Sequence, residues 1–170
     1  MGIIADQCQA NGMRLEILAA HMGILPSLLK SMDAAAVSVP AEIRDAMNSL
    51  VLLRDRLIEA FENSLLSQRQ NISRGYREQC NVVVVYTNQE DYESLPDYEP
   101  QLNHITHRYV IEFLQTRMLR QHGIEITSII FDRPTYEIWL GKHTDSLESR
   151  AMWAVQHLFA VIRLNGGKTH

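Results

Sequence analysis

Between residues 15 and 44 the chain reads LEILAAHMGILPSLLKSMDAAAVSVPAEIR, and this spacing of small and apolar residues constrains the fold more than any other feature. A small residue on one helix lets a second helix cross close over it, a glycine breaks the chain between them, and flanking apolar residues tie both into one core. Ala19, Gly23, Ile24 and Leu28 stand at those positions. The implied element is a helix-turn-helix, with residues 14–21 as its first helix and residues 26–32 as its second. Pro26 falls in the first turn of the second helix, where a missing N–H is harmless, and Leu25 before it offers no side chain for capping.

The surrounding sequence extends the helical reading. Ile3–Ala10 predicts a helix that stops at Asn11-Gly12. Ser38 and Pro40 precede a long helix over residues 40–66, in which Ile43, Met47, Leu50, Leu53, Leu57, Phe61 and Leu65 recur at three and four residues. Val51, Leu52 and Ile58 widen that stripe. The excess serves either the core of one domain or a contact with a second domain or a partner subunit.

With 170 residues, 46% of them hydrophobic and 21% charged, the chain has enough apolar material for a real core in one or two domains. We read residues 1–66 as an all-helical domain, residues 67–79 as a basic linker and residues 80–170 as a small α+β domain. The linker carries Arg69, Arg74 and Arg77 with no acid between them. Beyond it, Val82-Val83-Val84-Val85-Tyr86 is too uniformly apolar for a strand with one wet face and predicts a buried strand. Residues 88–95 suit one or two helical turns, and Asn103 can cap a helix over residues 104–121, with Ile105, Tyr109, Phe113 and Met118 inward. Residues 124–131 and 135–140 then read as two strands of an antiparallel hairpin across Asp132-Arg133-Pro134. A last helix begins at Thr144 or Asp145, Glu148 answering Asp145 as in a capping box, and runs to about residue 164. The expected order of the domain is β-α-β-β-α. Alternation along the second hairpin strand puts Tyr136, Ile138 and Leu140 against Trp153 and Phe159. Trp139 is left as either a half-buried edge aromatic or a dimer contact.

Downstream of the second helix, Met32-Asp33, a small-residue turn and Val39-Pro40 resemble the aromatic-acid pair, turn and proline that follow the recognition helix of phage-type repressors, Met32 standing for the aromatic. Over residues 3–60 the chain is thus similar to helix-turn-helix regulators of the xenobiotic-response-element type. Val85-Tyr86, Asp91-Tyr92, Pro96 and His107-Arg108 add a likeness to the dimerisation part of anti-CRISPR-associated repressors. The resemblance implies a homodimer whose C-terminal part dimerises and whose N-terminal part reads an inverted repeat in double-stranded DNA, often in the promoter of its own operon. From Ile124 onward it is silent.

On this reading the protein is a DNA-binding transcriptional repressor acting through residues 26–32. Pro26 and Ser27 approach phosphates or base edges at the helix start, Lys30 and Ser31 complete the reading face, and Arg14 and Arg44 contact the backbone. Arg69, Arg74 and Arg77 add phosphate contacts from the linker. A net charge of -4 means that only local clustering can supply the positive potential DNA requires. The recognition helix is poor in base-reading side chains, since Arg, Lys, Asn and Gln make the bidentate contacts and only Ser27, Lys30 and Ser31 are polar. The rival reading is therefore a protein-interaction or assembly module on the same scaffold, with Leu29 and Leu25 as its exposed apolar contacts.

Other functions find less support. No secretory signal or run of about 18 apolar residues appears, which implies a cytoplasmic protein with no membrane association. Cys8 and Cys80 lack the spacing of a disulfide framework or a zinc set. His104, His107, His143 and Asp132 could be imagined around a metal, but H-x-x-H lacks the glutamate and the four-residue interval of zinc peptidases. Asp132, Glu137 and Lys142, five apart, would alternate between opposite faces of a strand and cannot form one carboxylate-and-lysine centre. No enzyme, cofactor or resident metal is expected.

Overall fold

The computed structural model describes residues 2–71 and 81–166, with side chains at 2–64 and 81–159. Its architecture is α+β. The chain divides into two compact units, Met1–Gly75 with Ile105–Val110, and Tyr76–His104 with Ile111–His170.

The first unit is built from α1 (Ile3–Ala10), α2 (Leu15–Met22), α3 (Pro26–Ala35) and α4 (Ala41–Asn71), together with the start of α6 (His104–His122). Ile4, Leu18, Ala19, Leu29, Leu50 and Ile58 are fully buried in it. The helices fall close to their expected bounds, with α3 longer by a turn. α4 runs on to Asn71, so residues 67–71 are helical where a linker was expected; Arg74 and Arg77 lie outside the described residues, as does Cys80. Asp33, Arg54 and Glu62 are buried charged residues of this unit, and the partners of Arg54 answer its charge. Arg54 Nη1 donates to Asn11 O and to Tyr109 Oη, both at 2.8 Å, while its Nε meets Asp55 at 2.8 Å, as a desolvated guanidinium requires. Leu52, Phe61 and Ile105, read as inward or stripe residues, are exposed.

In the second unit β1 (Asn81–Val85) and β2 (Ile126–Ile130) pair in parallel, in a register from Asn81 with Ile126 to Val85 with Ile130. Parallel strands need a long crossover, and α5 (Gln89–Glu93) with α6 supplies it. The expected antiparallel hairpin is absent: residues 133–140 form α7 (Arg133–Leu140) instead. Pro134, taken for a turn residue, sits in the first turn of that helix, and Tyr136 N–H donates to Asp132 O at 2.9 Å to start it. Helical spacing turns Tyr136, Trp139 and Leu140 to one side and leaves Ile138 outside at 83% exposure.

The final helix, α8 (Leu147–Gly166), starts later than expected and caps itself differently. Ser149 N–H donates to Ser146 Oγ at 3.0 Å and Ser146 N–H to Ser149 Oγ at 2.8 Å, a reciprocal box made by two serines. Asp145, which was to be the cap, is instead the partner of Arg150. Arg150 is 2% exposed, and its guanidinium lies 2.6 Å from Asp145 Oδ2, donates to Ser94 O at 2.8 Å and Tyr86 Oη at 3.2 Å, and stacks 4.5 Å from the Phe131 ring centre. Tyr136 Oη donates to Asp145 Oδ1 and packs edge-on to Trp153 at 5.8 Å. Phe159, the other expected partner, is exposed. Among the described residues no helix is long and apolar enough to cross a membrane.

Candidate nucleic-acid interface

The crossing of α2 and α3 is set by a short run of local interactions. At the end of α2, Ile24 N–H reaches back to Ala19 O at 3.0 Å and Gly23 N–H to Ala20 O at 3.2 Å, the two bonds of a Schellman stop. Gly23 carries the positive φ of 67° that this stop requires. Leu25 follows in extended backbone, with no side-chain cap, and Pro26 opens α3. The helix is therefore held in place by packing at Leu29 rather than by a cap.

That anchor corrects the expected register by one residue. Leu29 is 0% exposed and Leu28 is 51% exposed, so the apolar tie behind the turn is Leu29, and Leu28 belongs to the outer face. A second tether comes from the far end of α3. The buried Asp33 carboxylate accepts from Ile4 N–H at 2.7 Å and Ala5 N–H at 3.3 Å, supplying α1 with the N-terminal cap that Gly2 cannot. Gly2 is needed there, because a Cβ at that position would collide with the Asp33 carboxylate. The acid of the Met32-Asp33 pair was visible in the sequence, but its partner 29 residues away was not.

Outward from this scaffold α3 presents Pro26, Ser27, Lys30 and Ser31, all exposed. Ser27, Lys30 and Ser31 share one face by their three- and four-residue spacing. Ser31 Oγ donates to Ser27 O at 3.0 Å. Lys30 Nζ lies 2.9 Å from Glu16 Oε1 on α2, and the hydrogen bond from Lys30 holds the Glu16 carboxyl below the usual range. Arg14, exposed at the start of α2, adds its charge beside the same carboxylate. Arg44, exposed on the first turn of α4, folds back to donate to Val39 O at 3.1 Å. Arg69 lies in α4, but its side chain, like Arg74 and Arg77, is outside the described residues.

Beside the polar stripe lies an apolar one. Leu25, just before α3, is 71% exposed, and Leu28, in the first turn of α3, is 51% exposed. The wider charge balance is acidic: Arg14, Lys30, Arg44, Arg54 and Arg56 are the cations between residues 2 and 64, where eight Asp and Glu also fall. A major groove admits a helix of this size, and the exposed hydroxyls and ammonium can meet phosphates or base edges, but the face holds no Arg, Asn or Gln for bidentate readout.

Of the residues imagined around a metal, two have a described setting. His104 Nδ1 lies 3.2 Å from Gln89 Oε1, and burial pushes the His107 imidazole down to about 4. Among the described residues, no three His, Cys, Asp or Glu side chains gather as a cation site. No protein-family model and no curated protein matches the chain.

Proposed function

We propose that this protein is a homodimeric, sequence-specific DNA-binding transcriptional repressor of the helix-turn-helix type, reading an inverted repeat through α3. The observation that carries the reading is the α2–α3 crossing, closed over a fully buried Ala19 and Leu29, which turns Ser27, Lys30 and Ser31 outward on one exposed helix face. In a two-fold dimer two such helices enter successive major grooves about 34 Å apart. Arg14, Lys30 and Arg44 neutralise phosphates, and Ser27 and the helix start approach the bases. The reading involves no catalytic step, metal or cofactor, and its natural place is the cytoplasm, on the promoter of its own operon.

The test is an electrophoretic shift with the DNA upstream of its own coding sequence, at roughly 100 mM salt and with non-specific competitor. A competitor-resistant shift, weakened by Lys30→Ala and Arg14→Ala, supports the repressor. No shift at micromolar protein, or one that competitor removes, sinks it.

A second reading is favoured by one observation: Leu25, just before α3, and Leu28, in its first turn, are exposed apolar residues, and between residues 2 and 64 carboxylates outnumber cations. Exposed apolar clusters commonly mark protein contacts. On that reading α3 docks a protein partner, and Leu28→Asp abolishes the association while no specific DNA complex forms.

A further inference from the structure

The ladder between the two strands fixes which way each backbone group points. Phe131 N–H donates to Val85 O at 2.8 Å, continuing the register of the pair. Successive residues of a strand direct their N–H and C=O to opposite sides, so residues 127, 129 and 131 face β1, while Ile126, Ser128 and Ile130 face away. Gln115 Nε2 donates to Ile126 O at 2.9 Å. No hydrogen bond reaches the outward groups of Ser128 or Ile130 among the described residues.

An edge of this kind normally carries a charge, a proline or a bulge that keeps other strands off. Ile126-Thr127-Ser128-Ile129-Ile130 has none of these, and four of its five residues are β-branched. Parallel sheets are ordinarily covered, yet Ser128 is exposed and Ile130 is 57% exposed. On the opposite edge Val82 and Val84, the outward residues of β1, are half-buried. Of the outward residues of the two strands, Ser128 and Ile130 of β2 are the most exposed, while Ile126 is buried.

The sequence of β2 also selects its occupant. Turned against itself about Ser128, the strand sets Ile126 opposite Ile130, Thr127 opposite Ile129 and Ser128 opposite its own copy. Every pair is apolar or hydroxyl-bearing, no like charges meet, and the exposed Ile130 gains an isoleucine neighbour. A two-fold axis generates this antiparallel, isologous pairing without further adjustment. We propose that β2 of one protomer pairs edge to edge with β2 of a second copy, centred on Ser128, so that two two-stranded sheets become one of four strands. The proposal rests on the homodimer put forward above and gives it an interface.

Sedimentation of the full chain tests it, the monomer mass being 19.5 kDa. Wild type is expected at twice that mass at micromolar concentration. Ser128→Pro removes an outward N–H that the isolated strand does not use, a position where an edge tolerates proline. It should keep the wild-type circular dichroism while weakening the dimer at least tenfold. Ile130→Lys should weaken it similarly without the backbone change. With Ser128→Cys, a short bismaleimide should join the two protomers, whose Cα atoms lie about 5.5 Å apart at the axis. Glu125→Cys, roughly 20 Å from its mate in this register at 3.4 Å per residue, should not cross-link. A dimer that persists in Ile130→Lys and gives no Ser128→Cys cross-link overturns the β2 interface and leaves the homodimer standing. A wild-type chain that is monomeric throughout overturns both.

Discussion

Asp33 joins two helices through one carboxylate, and its removal should be felt at the first of them. With Asp33→Ala, Ile4 and Ala5 lose a charged acceptor in a buried setting, a change worth about 2 kcal/mol. Gly2→Ala attacks the same contact from the other side by filling the space the carboxylate occupies. Urea titration of both single variants and the double should therefore give a sum clearly smaller than the two parts, because each destroys the other's target. Additive losses would mean that the contact does not hold in solution. His107 sets a different dependence. Its pKa falls from 6.5 to about 4 by burial, so between those values the unfolded chain takes up a proton that the native chain refuses. Stability is thus complete above pH 6.5 and declines as the pH drops towards 4, by roughly 3 kcal/mol over the window. Urea midpoints at pH 7, 5.5 and 4.5 should show this decline, and His107→Gln should show a shallower one.

Elements differ in how openly the sequence announces them, and Gly23 marks the most open case. Only backbone strain resists a side chain there, since a Cβ would have nothing within 4 Å, so Gly23→Ala should cost about 1 kcal/mol and Gly23→Asn less. Thermal unfolding distinguishes the two variants. Stops and starts of this local kind, at Gly12, Gly23 and Gly123, made the bounds of α1, α2 and α6 readable, and the valine run made β1 readable as a strand meant for burial. Residues 135–140 were not readable in the same way. Thr-Tyr-Glu-Ile-Trp-Leu has the β-branched and aromatic composition of a strand, and Pro134 suits a turn as well as a helix start; the choice is made by Tyr136 reaching Asp145 and Trp153 across the fold. The one-residue shift from Leu28 to Leu29 has the same origin, since two adjacent leucines fit the turn equally well until α3 is packed. Of the candidate interface, the polar residues were legible by type, but the Lys30–Glu16 pair was not, because it joins separate helices.

For the whole molecule the decisive quantity is how much positive charge a dimer can bring to a duplex. Were Arg14, Lys30 and Arg44 of both protomers each to meet a phosphate, log affinity would fall against log salt with a slope of about -5. Lys30→Ala would then reduce that slope by about 2 and weaken binding to every sequence alike, since an ammonium on a phosphate reads no bases. Glu16 gives the sharper discrimination. Its carboxylate lies 2.9 Å from Lys30 on an exposed surface, where such a pair stabilises the fold very little. Glu16→Gln removes a negative charge from the face that would approach DNA and releases Lys30 without disturbing the core. In a DNA-binding protein the substitution should therefore tighten binding severalfold at low salt, with a gain that shrinks as salt screens it. In a module that uses Leu25 and Leu28 to hold a protein, there is no phosphate for the released ammonium to find. Titrating Glu16→Gln and wild type with the same duplex at two salt concentrations separates these cases, and an unchanged affinity at both would count against α3 as a DNA-facing helix.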